Sequence, residues 1–541
     1  MPFVALKILD GDRSLKRIEG VEDPGESRGA AAVEADLRRE VEGLIEWVGQ
    51  AARSPNKFLA FEQGLIPRVF TLGRLLIALY LARREEAICA ELPDRLRVGR
   101  WWYRRRPRHS RDLGTFFGEV RYPRTYMHLE GEATGAAKGF HPLDRELGLT
   151  SDGFSLHLIS LAARLATELS FERARIWLQR LLGWSPSTEI IEHAVLGLGV
   201  YTNAFFDALP KLLLGDGEVL VIMIDQKAVP TATDEELRKR RGKRRPNPHP
   251  ESARHRGRYK RRQRGPKKRR RKGDKSKNGR AATLVVMYTL RASPADGLLL
   301  GPINKVVYGS FAGKRYAFAW ARRQAEKRGF APGSNKLIQF VSDGDDDFPV
   351  YLKDYFGEYA EHEFITTLDL PHVMEYLWDA GLARYKEGSD ELTAWARQQK
   401  TRLLENRVDL VLAALRTMFA SVPKTGPGTK AKRQRLTKAS RYIENNLDRM
   451  DYQYLRESDL ELASGAVEGA VNHVIGLRMD HGGMRWIRER AEALLQLRCI
   501  EINGHWNQFI QAVQDEISSS PRPLRLLRKE PVPLPTLEAV A

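Results

Sequence analysis

With 541 residues the chain is long enough for three or four domains, and 42% apolar content gives them ordinary cores. The 89 Lys+Arg against 69 Asp+Glu leave a formal charge of +20, the balance of a protein that meets a polyanion, nucleic acid first. Two cysteines, Cys89 and Cys499, exclude a disulfide framework and Cys-rich zinc modules and fit a reducing cytoplasm. The opening MPFVALKILDGDRSLKR has too short an apolar run for a signal peptide. The most apolar stretch, 65–81, is interrupted by Arg68 and Arg74, so no membrane span is expected.

In chain order, residues 1–32 lack periodicity and read as a loose arm, while 33–96 carry apolar residues at helical spacing (Val33, Leu37, Val41, Leu44; then Leu72, Leu75, Leu76, Leu79). Aromatics and arginines with shorter periods in 97–150 predict a small β-hairpin region, which could lie against phosphates or be a solvated sheet. Residues 151–216 return to helix, with one element over 171–182, a turn at Gly183-Trp184-Ser185-Pro186 and a new helix capped by Ser187. That outline resembles a helix-turn-helix. Its second helix offers Glu189, Glu192 and His193 but no Arg or Lys, so a plain helical hairpin competes with base reading.

The runs 219–224, 282–290 and 303–311 are short, β-rich and consecutive. A helix over 312–329, a strand at 337–341, a short link and a strand at 364–368 follow. This is the order of a ribonuclease-H-like α/β sheet with an antiparallel edge, assigned to 217–372 plus 459–518. Residues 373–458 read as a helical insertion, and 519–541 as a flexible proline-rich tail.

The charge is concentrated. Residues 238–280 hold 23 Lys/Arg and 2 acids, a net of +21, whereas the other 498 residues hold 66 basic and 67 acidic groups. Such a segment cannot build a core and repels itself unless phosphates neutralise it. Its candidate DNA contacts are Arg244, Arg245, Arg258, Lys260, Arg261, Arg262, Lys267, Lys268, Arg269, Arg270, Arg271 and Lys272.

An acid at the end of a buried strand is held rigidly at the carboxyl edge of a sheet, where open α/β folds bind ligands. Asp225 (VLVIMID), Asp343 (LIQFVSD, opening DGDDDF) and Asp369 (FITTLD) have that position. Glu468 lies in ASGAVEGAVNHV, where small neighbours let a helix pack close to the sheet so that a long carboxylate reaches its edge. Two strand-end Asp residues and a helical Glu form the oxygen-rich set that Mg²⁺ or Mn²⁺ prefers, and two such ions serve phosphodiester displacement.

The chain resembles bacterial insertion-sequence transposases with a DDE triad, in particular the Kra-type group related to the Mutator-like superfamily. The resemblance covers roughly residues 114–509. It rests on FGEVRYPR, HPLDRELGL, the strand ending in Asp225 with VPT after it, SDG at Asp343, TLDLPHVMEYLW, DRMDYQYLRESDLELASGAVEGAVNHV, and RMDHGGMRW followed by AEALLQLRCIE. It implies a ribonuclease-H-like domain interrupted by helices, with Asp225, Asp343 and Glu468 as catalytic and metal-binding acids and Asp369 and His372 as an accessory D-x-x-H element. It further implies a homo-oligomer on transposon-end and target DNA, in the cytoplasm of a bacterium at the nucleoid. Arg478 and Arg485 are candidate phosphate clamps. Gln226-Lys227 stand where the family carries Gly, and paired cysteines found in many relatives are absent. The rival reading is a catalytically inactive or domesticated transposase that binds nucleic acid.

Overall fold

The computed structural model describes residues 29–55, 57–131, 138–232, 279–345, 347–480, 484–520 and 524–539. The chain divides into two units, one of residues 1–149 with two short pieces (153–155 and 521–523), the other of 150–152, 156–520 and 524–541.

In the first unit α1 (Ala30–Arg53) packs on α2 (Phe58–Glu91). Ile45, Phe58, Leu59, Ile66, Leu76 and Tyr80 remain exposed on this pair. By length and composition α2, at 34 residues with an 18-residue stretch of mean hydropathy 1.6, is long and apolar enough to cross a membrane, although the sequence predicts no span. The two arginines that interrupt it have local partners. Arg68 Nη1 donates to the Gly64 carbonyl, and Arg74 Nη1 to Phe117. A four-stranded antiparallel sheet follows: β1 (Arg95–Val98), β2 (Trp101–Thr115), β3 (Gly118–Leu129) and β4 (Gly139–Phe140), in that order. Leu81, Leu113, Val120, Tyr122 and Leu143 form its core beside the short α3 (Pro142–Glu146). Several arginines of this sheet are spent internally. Arg111 and Arg124 pair with buried Asp144, which also accepts from the Tyr122 hydroxyl at 2.7 Å; Arg121 pairs with Asp112 and Arg95 with Glu130.

The second unit is built on a five-stranded sheet. Its strands are β5 (Val219–Pro230), β6 (Gly279–Ala292), β7 (Leu299–Ser310), β8 (Leu337–Ser342) and β9 (Phe364–Leu368), in the spatial order β7-β6-β5-β8-β9. The first three pair antiparallel, and β8 and β9 run parallel to β5. Residues 219–224 at the centre are buried on both faces, which is why this run is continuously apolar rather than alternating. The ladder outlasts the apolar run. It pairs β5 with β6 from Val219↔Leu290 to Pro230↔Gly279, so Asp225 sits inside the strand opposite Leu284 rather than just after it. Gly279 and Arg280 likewise belong to β6, not to the basic insertion, because the two strands must meet in register at its base.

Helices α4 (Leu156–Glu168), α5 (Phe171–Leu182), α6 (Thr188–Leu198) and α7 (Thr202–Ala208) precede the sheet. Ser187 caps α6 through Ile190 N–H, and residues 193–198 are buried, packed on α4 and a late helix. Within the sheet region, α8 (Lys314–Lys327) and α9 (Phe348–Phe356) lie between successive strands. The insertion comprises α10 (Leu370–Gly381), α11 (Asp390–Leu404), α12 (Val408–Ser421), α13 (Thr429–Glu444) and α14 (Tyr452–Glu457). Then come α15 (Gly465–Val471), a π turn over Asn472–Gly476, α16 (Leu477–Met479), α17 (Arg488–Ile502) and α18 (Trp506–Ser519). Residues 491–500 of α17 are buried on every side, against β7, α4 and α6.

The described part of the C-terminal tail is not a free extension. Leu526 and Leu527 are buried, and their amides donate to Asp152 Oδ2 at 2.5 and 3.0 Å. The Leu526 carbonyl comes so close to α6 that a Cβ on Gly197 would lie 1.4 Å from it, and only glycine fits. An apolar pair with a buried acid to satisfy its backbone outweighs the proline-rich composition.

Candidate active site

The register of the central strands builds the site. β5 and β8 pair as Met223↔Val341, and β8 and β9 as Ser342↔Leu368. Continuing those registers sets Asp225, Asp343 and Asp369 side by side in one row across the three adjacent carboxyl ends. Neighbouring strands lie about 4.8 Å apart, so the row is a compact line of acids. Helix α15 packs on β5 and β6 and brings Glu468 to the same edge.

Each member has its own environment. Asp225 is partly buried; burial raises its carboxyl above the ordinary range, and the charges of Asp343 and Glu468 raise it further against the Gln226 amide and His372. Asp369 is fully buried, accepting from Ser464 N–H at 2.6 Å and His372 N–H at 3.0 Å, and so caps α10. His372 is held above its ordinary pKa, first by the Asp369 carboxylate 3.6 Å from Nδ1, with the Asp343 and Glu375 charges adding and burial opposing. Glu468 is exposed at the rim and accepts from Ser464 Oγ at 3.2 Å. Among the described residues, ligand atoms of Asp369, His372 and Glu468 lie within 4.8 Å of one another. Asp225 and Asp343 do not belong to that tight group but are coupled to it by charge.

Both residues after Asp225 have defined places. Alternation puts Gln226 on the opposite face, where its Nε2 donates to Thr283 Oγ1 at 2.7 Å, clear of the acids. Lys227 shares the Asp225 face. Its Nζ lies where a side chain on Gly476 of the π turn would stand, 3.0 Å from an added Cβ.

A supporting set was not singled out from the sequence. Tyr442, stacked on Tyr376 at 3.9 Å, donates its hydroxyl to the Asp343 carbonyl at 2.8 Å. Tyr452 donates to the Leu368 carbonyl at 2.9 Å, and Arg449 Nη1 to Ser342 Oγ at 3.2 Å. All three come from the helical insertion and pin the ends of β8 and β9. Gly344, at φ +73°, lets the chain leave Asp343 in the left-handed region, and a Cβ there would stand 2.9 Å from Leu368 and 3.1 Å from Tyr442. Lys314 pairs with Asp345, so that acid of the DGDDDF run is engaged outside the row. The signal for Arg449, Tyr452 and Ser464 was present in DRMDYQYLRESDLELASG, but nothing in their spacing says which strand end they reach.

The candidate contacts between Arg244 and Lys272 lie outside the described residues. Arg485 is exposed, whereas Arg478 is 2% exposed, with Nε donating to the Ala166 carbonyl at 2.9 Å. The chain matches no family model and no curated protein.

The donor set suits a hard divalent cation: carboxylate oxygens dominate, one imidazole stands beside them, and the charges of Asp343 and Glu468 raise the Asp225 carboxyl.

Proposed function

We propose that this chain is a DNA transposase of the DDE type, cleaving and joining phosphodiesters with a ribonuclease-H-like domain. The observation that carries the reading is the row Asp225, Asp343 and Asp369 across β5, β8 and β9, with Glu468 delivered to it by a helix. Strand order β7-β6-β5-β8-β9, three antiparallel strands followed by two parallel ones, supports the domain assignment. The connection between β5 and β6, residues 231–278 with 22 Lys/Arg against 5 acids, supports a polyanionic partner, DNA at transposon ends and targets, bound by a homo-oligomer in the bacterial cytoplasm.

Asp225, Asp343 and Glu468 would hold two Mg²⁺ or Mn²⁺ ions. When bound, such ions supply Lewis acidity and a more acidic water or hydroxyl. The chain's own groups do the rest. Tyr442, Arg449 and Tyr452 fix the strand ends so that the acids do not drift apart. Asp369 orients His372, whose raised basicity lets Nε2 or Nδ1 carry a proton beside the acids near neutral pH. Lys227, on the Asp225 face, offers a cation to a phosphate oxygen.

That lysine also favours a second reading, a chain that holds DNA at the same edge without cutting it. Incubation with DNA carrying the sequences that flank its gene, Mg²⁺ present, distinguishes the two. Strand cleavage by the wild type, lost in Asp343→Asn with DNA affinity retained, is expected. Tight binding without cleavage in the wild type would select the second reading.

A further inference from the structure

A cavity of the second unit, about 1090 Å³, is lined by none of the acids of the row. Its walls come from the start of α5, from α6, and from residues 484–490, with Arg478, Arg485, Arg490 and Lys529 among the lining groups. The acids on its wall are locally engaged: Glu192 pairs with Arg490 at 2.7 Å, Glu172 with Arg175 at 2.7 Å, and Glu189 lies 3.8 Å from His193 Nε2.

Arg478 is the exception to this pairing. It is 98% buried, and among the described residues no carboxylate pairs with it. Glu168, the acid whose charge reaches it, is already taken by Arg498 at 2.7 Å. Nε has the Ala166 carbonyl, Nη1 only the Met484 thioether at 3.4 Å, and Nη2 has no hydrogen-bond partner. The faces of Trp486 and Phe171, 4.9 and 5.8 Å away, compensate in part. A buried, incompletely paired guanidinium is unfavourable, and burial has pulled its pKa down to about 10. Such a group persists where a ligand completes it, and the planar fork of arginine matches a phosphate.

The position of the cavity says which phosphate. Trp486 extends the end of β5: its amide donates to the Pro230 carbonyl at 3.0 Å, and Ala232 N–H donates to the Trp486 carbonyl at 2.9 Å. The sequence beyond Ala232 leads directly into the +21 segment. Arg478 follows Glu468 by ten residues of nearly continuous helix, about 15 Å along the axis at 1.5 Å per residue. That is about four steps of a strand whose phosphates advance about 3.4 Å each along the axis.

We propose that this cavity is a phosphate-binding site, with Arg478 as its buried anion-binding group and Arg485 at its rim, and that it receives a backbone phosphate of the DNA a few nucleotides from the one at the acid row. The source of the phosphate rests on the transposase reading; the phosphate chemistry does not.

The test uses the full chain and its variants Arg478→Gln, Arg478→Lys and Arg485→Gln. Affinity for a fluorescein-labelled duplex is measured across a range of KCl, and melting is followed with inorganic phosphate against KCl at equal ionic strength. Arg478→Gln should weaken DNA binding and make the slope of log affinity against log salt shallower by about 1, with Arg478→Lys intermediate. Phosphate should raise the melting temperature of the wild type and not of Arg478→Gln. If Arg478→Gln fails to fold, Arg485→Gln, on an exposed residue, should still lose slope. Phosphate stabilisation with an unchanged DNA slope would keep the anion site and overturn its DNA source. Neither effect, in a wild type that binds DNA steeply, overturns the inference and leaves the transposase reading intact. A wild type that does not bind DNA overturns that reading instead.

Discussion

Replacing Asp225 by Asn should stabilise the metal-free protein while abolishing its response to divalent cations. Asp225 lies in β5, Asp343 follows the end of β8, and the charge of Asp343 raises the Asp225 carboxyl; full charges about 5 Å apart, close to one strand spacing, repel by about 3 kcal/mol at an effective dielectric of 20. Carboxylates swing apart, and water reaches both, so about 1 kcal/mol of that is expected to be recovered in Asp225→Asn, within the range found when functional-site residues are replaced. For a domain of this size 1 kcal/mol is about 2 °C of melting temperature. In EDTA the variant should therefore melt slightly higher than the wild type. Added Mg²⁺ or Mn²⁺ should raise the wild type by about 2.7 kcal/mol at a hundredfold excess over the dissociation constant, and the variant by much less. A variant that melts lower in EDTA, beside a wild type indifferent to both ions, would refute the view that these acids repel one another until a cation joins them.

Three further outcomes are expected. Raising the pH from about 5.5 to 7.5 in EDTA should lower stability, because Glu492, pushed up to about 7 by burial, and His372, raised, each contribute stability that is full below the ordinary pKa and lost on rising through the folded one; Glu492→Gln should flatten the fall near pH 7 in melts across that range. Replacing residues 233–278 by a short Gly-rich turn should leave a cooperative melt, since β5 and β6 already meet at Pro230↔Gly279 and loop closure costs grow only logarithmically, while the salt slope of DNA binding becomes much shallower; an unchanged slope would assign DNA contact to other surfaces. Tyr442→Phe removes one hydrogen bond to the Asp343 carbonyl but keeps the stack on Tyr376, so a loss of about 1 kcal/mol in denaturant melts and at most about tenfold in cleavage rate are expected.

The sequence made the strand order of the second unit readable because its central strands are short apolar runs with an acid at the end, and periodicity detects burial. It could not place the end of β5, since Asp225-Gln226-Lys227 interrupt the apolar run while the ladder continues to Pro230. The acids were legible one by one; their row was not, because it depends on the registers Met223↔Val341 and Ser342↔Leu368 between strands far apart in the chain. Tyr442 and Arg449 were missed for a related reason: each reaches a strand end about a hundred residues away, and nothing local in a helix announces that contact. Arg478 reads as a phosphate clamp from its place before a Gly-Gly turn, but its burial is not legible there, because it comes from the packing of Phe171 and Trp486 around it.

The central claim, that the acid row works on a phosphodiester through divalent cations, is tested most directly by sulfur substitution. DNA carrying the flanks of the gene is prepared with a single phosphorothioate at the cleaved bond, and single-turnover cleavage by the full chain is followed in Mg²⁺ and in Mn²⁺. Oxygen-only DNA should be cut in both ions, whereas one sulfur diastereomer should be cut poorly in Mg²⁺ and rescued by the more thiophilic Mn²⁺. Cleavage that is equal in the two ions for both diastereomers, or that persists in EDTA or in Asp343→Asn, would contradict it.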